Sequence, residues 1–251
     1  MRVVVPMAGG DEAFRQKGYT HSKSLIEVEG RPLIEHVYER LQGLPDAEFV
    51  FIIRKEDASR HHLAEVLGLL APNCRIVYAE SQTAGAACTA LLAIEHMEAD
   101  GELVIANGDQ LITADLAAAI VDFRKRNLDG GTVVFDSIHP RWSYVRVNQD
   151  GLVEEAAEKR PISRTATAGL YYFRRGEDFT QSAMRMIRKD AHVNGQFFVC
   201  PAFNEMILRQ KRIGIWRIQR DEYFSFGTPQ GVEVYEQFIG RQAERAGHGE
   251  G

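Results

Sequence analysis

The stretch Arg2-Val3-Val4-Val5-Pro6-Met7-Ala8-Gly9-Gly10 decides how the rest of the chain is read. Its first half is a short apolar run rich in valine, which predicts a strand over Arg2–Met7. Its second half is a turn of small residues directly after that strand. Ala8, Gly9 and Gly10 leave backbone N–H groups free to approach a ligand closely. In an open parallel sheet, ligands bind outside the carboxyl ends of the strands. The turn is therefore a phosphate-binding candidate. It is neither G-x-G-x-x-G nor a Walker A loop, so it supports neither a dinucleotide fold nor a P-loop NTPase.

Outward from this segment, short apolar runs alternate with helix-period segments for about 140 residues. Strands are predicted at Phe49–Arg54, Arg75–Ala79, Leu103–Ala106 and Thr132–Asp136, with helices at Pro32–Leu44, Asp57–Leu70, Gly85–Met97 and Thr113–Asn127. Pro32 suits a first helical turn, and Thr113 or Asp115 suits a cap. This alternation implies an α/β fold whose parallel sheet is covered on both faces. The later part is richer in β-structure. Trp142–Val147 and Leu152–Ala156 read as a hairpin turning through Asn148-Gln149-Asp150-Gly151, and Ala168–Phe173 and Ile213–Gln219 as further strands. Helices are expected at Phe179–Arg188, Phe203–Gln210 and Gly231–Ala246. No linker or repeat divides the chain. One domain is expected over 1–246, with 1–140 taking a nucleotide, 141–230 walling an acceptor pocket, and a tail at 247–251.

The 251 residues carry a net charge of −5 with both signs interspersed. No basic stripe points to nucleic acid. No run approaches the ~20 apolar residues of a membrane span, and no cleavable leader precedes the first strand. A cytoplasmic protein is expected. Cys74, Cys88 and Cys200 are far apart and read as neutral thiols. His21, His36, His61, His62, His96, His139 and His192 have no zinc-site spacing. No local signature proposes a serine or cysteine nucleophile.

Pro6-Met7-Ala8-Gly9, then Phe14, Gly18-Tyr19, Lys23, Leu25-Ile26, Val28, Gly30 and Pro32-Leu33-Ile34 together resemble the opening signature of the sugar-nucleotide pyrophosphorylases. Further along, Thr83-Ala84-Gly85-Ala86-Ala87, Asn107-Gly108-Asp109-Gln110, Glu158-Lys159, the run Ala166 to Phe173 and Phe226-Gly227-Thr228-Pro229 continue the likeness. His139 to Val145 and Val193-Asn194-Gly195 resemble the branch serving capsule and surface polysaccharide. The resemblance implies a Rossmann-like, glycosyltransferase-A-type fold. It implies transfer of a nucleoside monophosphate from a triphosphate to a phosphorylated acceptor, with release of pyrophosphate.

Site residues follow from the same resemblance. Asp109 would hold Mg²⁺, and a carboxylate at a strand's carboxyl end suits that task. Lys23 would meet the α-phosphate, where charge builds in the transition state. Ala8, Gly9, Gly10 and Gly108 would line the nucleotide, and Gln82, Thr83, Gly85 and Ala86 would surround its base. Glu158 would accept from acceptor hydroxyls and Lys159 would neutralise the acceptor's phosphate. Gly169, Thr167 and Ser143 complete that wall, with Gly169 letting the acceptor lie against the backbone. Homo-oligomerisation is left open.

Four positions depart from the pattern. Ala13 stands where the family has an arginine on the triphosphate, Asp11 where it has a glycine, and Ser22 where it has proline. Ser225 replaces a metal aspartate, leaving Asp109 alone or joined by Asp221 or Glu222. Asp11 and Glu12 bring negative charge beside the phosphate site, with Arg15 or Lys17 as candidate compensation. Three other readings stand beside the main one: a nucleotide-binding regulator without turnover, a cytidylyltransferase for a non-sugar phosphate, and a glycosyltransferase of the same fold.

Overall fold

The computed structural model describes residues 1–247. The first half contains β1 (Arg2–Pro6), α1 (Glu12–Arg15), β2 (Glu27–Val28), β3 (Arg31–Pro32), α2 (Leu33–Leu41), β4 (Glu48–Arg54), α3 (Lys55–His61), α4 (Leu63–Leu70), β5 (Arg75–Ala79) and α5 (Ala86–Leu91). It continues through β6 (Leu103–Ala106), β7 (Gln110–Ile112), α6 (Leu116–Lys125) and β8 (Gly130–Asp136). The second half contains β9 (Ser143–Val147), β10 (Val153–Glu158), β11 (Thr165–Phe173), α7 (Gly176–Arg188), α8 (Ala202–Ile207), β12 (Ile213–Arg217), β13 (Tyr223–Ser225) and α9 (Pro229–Gly247). The expected tail at 247–251 lies, beyond Gly247, outside the described residues.

One nine-stranded sheet takes strands from both halves, in the order β10-β9-β11-β6-β1-β4-β5, with β8 and β12 branching from β11. β6, β1, β4 and β5 run parallel, as the alternation predicts. Strand order reverses beside β1: β4 lies on one side and β6 on the other. Loops leaving β1 and β6 therefore diverge and open a crevice between them. β11 enters antiparallel to β6, and β8 is antiparallel to β11 while parallel to β12. The Thr132–Asp136 run thus does not simply extend the parallel order.

Alternate residues of each strand serve opposite cores. Val3 and Val5, with Phe49, Phe51 and Ile53, face one cluster that also takes Leu33, Ile34 and Val37 from α2. Val4, with Val50 and Ile52, faces a second cluster that takes Phe179 from α7 and Phe203 from α8. Two buried faces explain why these strands read as unbroken apolar runs.

Several local expectations hold and several shift. Asp115 caps α6, its Oδ1 accepting the Ala118 N–H at 3.0 Å. Asn148 Oδ1 accepts from Asp150 and Leu152 N–H groups at 2.9 and 3.0 Å, and Gly151 supplies φ +72°, so the hairpin turns where expected. Pro32 stands just before α2 rather than inside its first turn. The predicted helix 57–70 breaks at His62, whose φ of +53° is left-handed and separates α3 from α4. The predicted helix 85–97 ends at Leu91 and resumes as one tight turn at Ile94–His96.

Candidate active site

A cleft of about 1400 Å³ opens at the carboxyl ends of β1 and β6. The residues assigned from the sequence to nucleotide, acceptor and metal line it, namely Ala8, Gly9, Gly10, Lys23, Gln82, Thr83, Gly85, Ala86, Gly108, Asp109, Ser143, Glu158, Lys159, Thr167 and Gly169, whereas Glu222, the alternative partner of Asp109, does not.

At its floor Lys23 Nζ donates to Asp109 Oδ2 at 2.7 Å. Burial alone would depress the Lys23 ammonium. The charge and hydrogen bond of Asp109, joined by the charge of Asp11, outweigh burial and hold its pKa above the ordinary lysine value. Lys23 also approaches the first loop: a Cβ on Gly9 would sit 3.9 Å from Nζ. Gly108 lets the loop before Asp109 press onto β1, since a Cβ there would come 2.6 Å from Met7 Cγ. The Phe226 N–H closes the other side on the Asp109 carbonyl at 2.7 Å.

The charge expected beside the phosphate site is disposed differently from the sequence expectation. Asp11 is 4% exposed and lines no part of the cleft. Its Oδ2 accepts from Arg54 Nη2 at 2.6 Å, while Arg54 also donates twice to Asp57 at 2.8 Å. Burial raises the Asp11 pKa, against the pull of Arg54 and Lys23. Glu12 is exposed, and its carboxylate lies over Gly10. Arg15 and Lys17 are exposed and line no part of the cleft, so neither takes the role of the missing arginine. Arg54 was absent from the sequence reading; its charge at the end of an apolar strand was the available signal.

On the base side, Gly85 adopts φ +106°, and a Cβ there would fall 2.5 Å from the Phe197 carbonyl oxygen. The Phe197 N–H and carbonyl bond Ala84 and Ala87, at 2.8 and 3.0 Å. Thr83 Oγ1 bonds Thr89 Oγ1 at 2.6 Å. The turn is thus held open by backbone contacts that only glycine permits.

On the acceptor side, β10 ends at Glu158, 8% exposed, which accepts a short hydrogen bond from Ser143 Oγ. Burial raises its pKa; the Ser143 bond and the Lys159 charge oppose this. Lys159 takes left-handed φ +53°, with its N–H on the Trp142 carbonyl at 3.0 Å and Nζ 4.9 Å from the Phe198 ring centre. Thr167 Oγ1 bonds the buried Tyr171 hydroxyl at 2.9 Å. Gly169, at φ +75°, lines the cleft as expected of the acceptor wall, and its missing side chain also serves packing. A Cβ there would sit 1.5 Å from Gln110 Oε1 and 2.8 Å from Asn107 Nδ2, so its notch holds these two side chains against β11.

A model of the MobA-like NTP transferase domain matches residues 4–164. The chain belongs to this family. Among curated relatives, the UTP–glucose-1-phosphate uridylyltransferase AglF of Haloferax volcanii is 26% identical over 181 residues, covering 69% of this chain and 72% of that protein. The bifunctional protein GlmU of Acetivibrio thermocellus is 20% identical over 87% of this chain, which spans 47% of GlmU. A solved nucleoside-diphosphate-sugar pyrophosphorylase from Vibrio cholerae RC9 superposes with a TM-score of 0.81 at 25% identity, covering 94% of this chain and 99% of that one. A UTP-bound UGPase from Acinetobacter baumannii shares the fold, with a TM-score of 0.75 at 16% identity over 96% of this chain and 93% of that one.

As a MobA-like NTP transferase the chain is a nucleotidyltransferase, and its donor set for a metal can be tested. No group of three His, Cys, Asp or Glu side chains is assembled among the described residues. Ser225 Oγ and Asp109 Oδ2 lie 3.6 and 4.0 Å from a Cβ placed on Gly227, so serine borders the carboxylate. Glu222 does not complete the site: its carboxylate accepts the Gln219 N–H at 2.7 Å and it lines no part of the cleft. Asp221 does line it. Mg²⁺ keeps several waters and takes one or two carboxylates plus substrate phosphates. Asp109 with a triphosphate meets that need.

The remaining features are structural. His36 bonds the Val28 carbonyl at 3.1 Å. Burial raises the pKa of Cys74, Cys88 and Cys200, which keeps them neutral thiols. Among the described residues no helix is long and apolar enough to cross a membrane.

Proposed function

We propose that this chain joins the nucleoside monophosphate of a nucleoside triphosphate to a sugar phosphate and releases pyrophosphate, making precursors for capsule or surface polysaccharide. The observation that carries this reading is one cleft shared by the Lys23–Asp109 pair and by Glu158 and Lys159. The uridylyltransferase and pyrophosphorylase relatives support it and make UTP with glucose 1-phosphate the first pair to try.

In the proposed reaction an acceptor phosphate oxygen attacks the α-phosphorus. One P–O bond forms and the bond to pyrophosphate breaks, with no covalent enzyme intermediate. The protein aligns two anions that repel each other and offsets their charge. Lys23, released from Asp109, meets the α-phosphate oxygens, and the amides around Gly9 and Gly10 take the rest of the triphosphate. Mg²⁺ at Asp109 would supply further charge neutralisation on the phosphate oxygens. Lys159 balances the acceptor phosphate, and Glu158, oriented by Ser143, accepts from acceptor hydroxyls.

Ala13 and Ser225 favour a second reading, nucleotide binding without turnover. The test is pyrophosphate release from four nucleoside triphosphates against a panel of phosphorylated acceptors with Mg²⁺. Release with one pair is expected. Binding without release across the whole panel selects the second reading. With the active pair, Asp109→Asn is expected to abolish turnover with its melting temperature preserved; a full rate removes Asp109 from the chemistry.

A further inference from the structure

One wall of the cleft carries a feature that nucleotidyl transfer does not by itself require. Phe135, Trp142 and Tyr223 pack into a buried aromatic platform. The Phe135 and Tyr223 rings stack at 4.5 Å, and Trp142 meets them edge-on at 5.7 and 5.4 Å. Two guanidinium groups rest on it. Arg141 Cζ lies 4.1 Å from the centre of the Trp142 ring, and Arg220 Cζ lies 5.2 and 5.6 Å from the Phe135 and Tyr223 rings. Arg220 Nη1 is further fixed by the Tyr223 carbonyl at 2.8 Å. Cations over ring faces are oriented without being neutralised.

Neither arginine forms an ion pair among the described residues, although Asp221 lines the same cleft. Their like charges are close enough that Arg141, after burial, helps depress the Arg220 pKa. The same wall holds an orphan. Tyr223 lines the cleft at 1% exposure, and its buried hydroxyl has no hydrogen-bond partner among the described residues. Its phenol O–H can donate to a ligand oxygen. A buried hydroxyl left unpaired is costly, and two guanidiniums brought together without a counterion add to that cost. An anion supplied from outside removes both penalties.

We propose that Arg141, Arg220 and the Tyr223 hydroxyl form an anion subsite that receives the acceptor's phosphate as a phosphomonoester dianion. This rests on the nucleotidyl-transfer reading and adds to Lys159, which that reading sets against the same phosphate, three further groups from the Trp142 wall of the cleft. The wall belongs to the acceptor side, since the Lys159 N–H is bonded to the Trp142 carbonyl at 3.0 Å. It also reaches the reacting centre, because Tyr223 stands three residues before Phe226, whose N–H bonds the Asp109 carbonyl at 2.7 Å, and both Tyr223 and Asp109 line the cleft. Two guanidiniums match the two charges of the monoester, and planar forks suit phosphate oxygens.

The test is calorimetric titration of the metal-free, nucleotide-free protein with inorganic phosphate and with glucose 1-phosphate. Trp142 emission, read in a Trp216→Phe background, provides a second signal. Both probes are expected to bind. Arg141→Met and Arg220→Met should each weaken them about tenfold, the loss of one charge-assisted contact. Tyr223→Phe keeps the platform and should weaken them by about threefold or more, while the ligand-free melting temperature rises because an unpaired buried hydroxyl is removed. In turnover the same variants should raise the acceptor KM and leave the triphosphate KM within about twofold. Absence of phosphate binding, wild-type affinity in both arginine variants, or a shift confined to the triphosphate KM overturns the proposal. Phosphate binding lost in these variants, in a protein that turns over no substrate pair, sustains the subsite while the transferase reading fails.

Discussion

Replacing Arg54 by methionine would leave Asp11 and Asp57 facing each other without their shared cation. The side chains of Arg54, Asp11 and Asp57 are 10, 4 and 2% exposed, so water offers little relief. Breaking a buried pair by removing one partner costs about 3–5 kcal/mol. One guanidinium serves two carboxylates here, which favours the upper part of that range. Asp11 supplies a partial escape, because burial already raises its pKa and it can take up a proton. A loss of about 3–5 kcal/mol corresponds to a melting temperature lower by about 6–20 °C for a chain of this size. Urea unfolding at pH 7.5 measures the free energy, and Arg54→Lys, which keeps the charge but not the fork, should fall between wild type and Arg54→Met. The triphosphate KM should rise together with the stability loss, because the loop of Gly9 and Gly10 is tied down through Asp11. A loss below about 1 kcal/mol, or an unchanged KM, refutes the view that this triad anchors the loop.

Other expectations are narrower. Glu158 has a raised pKa in the folded state, so the native protein binds its proton more tightly than the unfolded chain does. Stability from this group is greatest below the ordinary glutamate pKa and declines as pH rises through the raised value. Glu158→Gln should therefore melt higher than wild type at pH 8 and equally at pH 4, while its acceptor KM rises; a lower melting point at pH 8 contradicts the assignment. Gly169→Ala should destabilise strongly, because its Cβ would collide with Gln110. Adding Gln110→Ala should recover part of the loss, leaving the cost of a left-handed alanine, about 1 kcal/mol or more, and the contact with Asn107 Nδ2 at 2.8 Å. Equal melting temperatures for the single and double variants would show that the notch is not what requires glycine. Lys23→Met is expected to lower kcat by about a hundredfold or more in the pyrophosphate-release assay, the scale of losing one transition-state donor; a change confined to KM assigns Lys23 to ground-state binding.

What the sequence made legible was local or periodic. The valine run of β1, the Asp115 cap and the Asn148 turn each carry their cause within a few residues, and each is found in place. What it hid depends on partners far away in the chain. Nothing in Asp11 announces Arg54, 43 residues on, so the acid read as a threat to the phosphate site rather than as an anchor. The β7–β13 ribbon has three-residue strands, too short for any alternation to register. The break at His62 has neither glycine nor proline to signal it. The proposed site residues came from an ordered set of motifs rather than from periodicity. The Gly169 notch could not be anticipated, because its occupant, Gln110, belongs to another motif.

The peptide of Asp109 receives its closing hydrogen bond from Phe226, more than a hundred residues further along, and the Thr113 N–H likewise waits for the Glu222 carbonyl at 2.9 Å. Both lie beyond the matched segment 4–164. Closing so long a loop is entropically slow and follows contacts of shorter span. During synthesis the parallel strands can pair while the cleft floor is still unlatched, so catalytic competence arrives as one of the last events in the birth of the molecule. Hydrogen exchange on the growing chain should find the Asp109 segment unprotected until its distant clasp emerges from the ribosome.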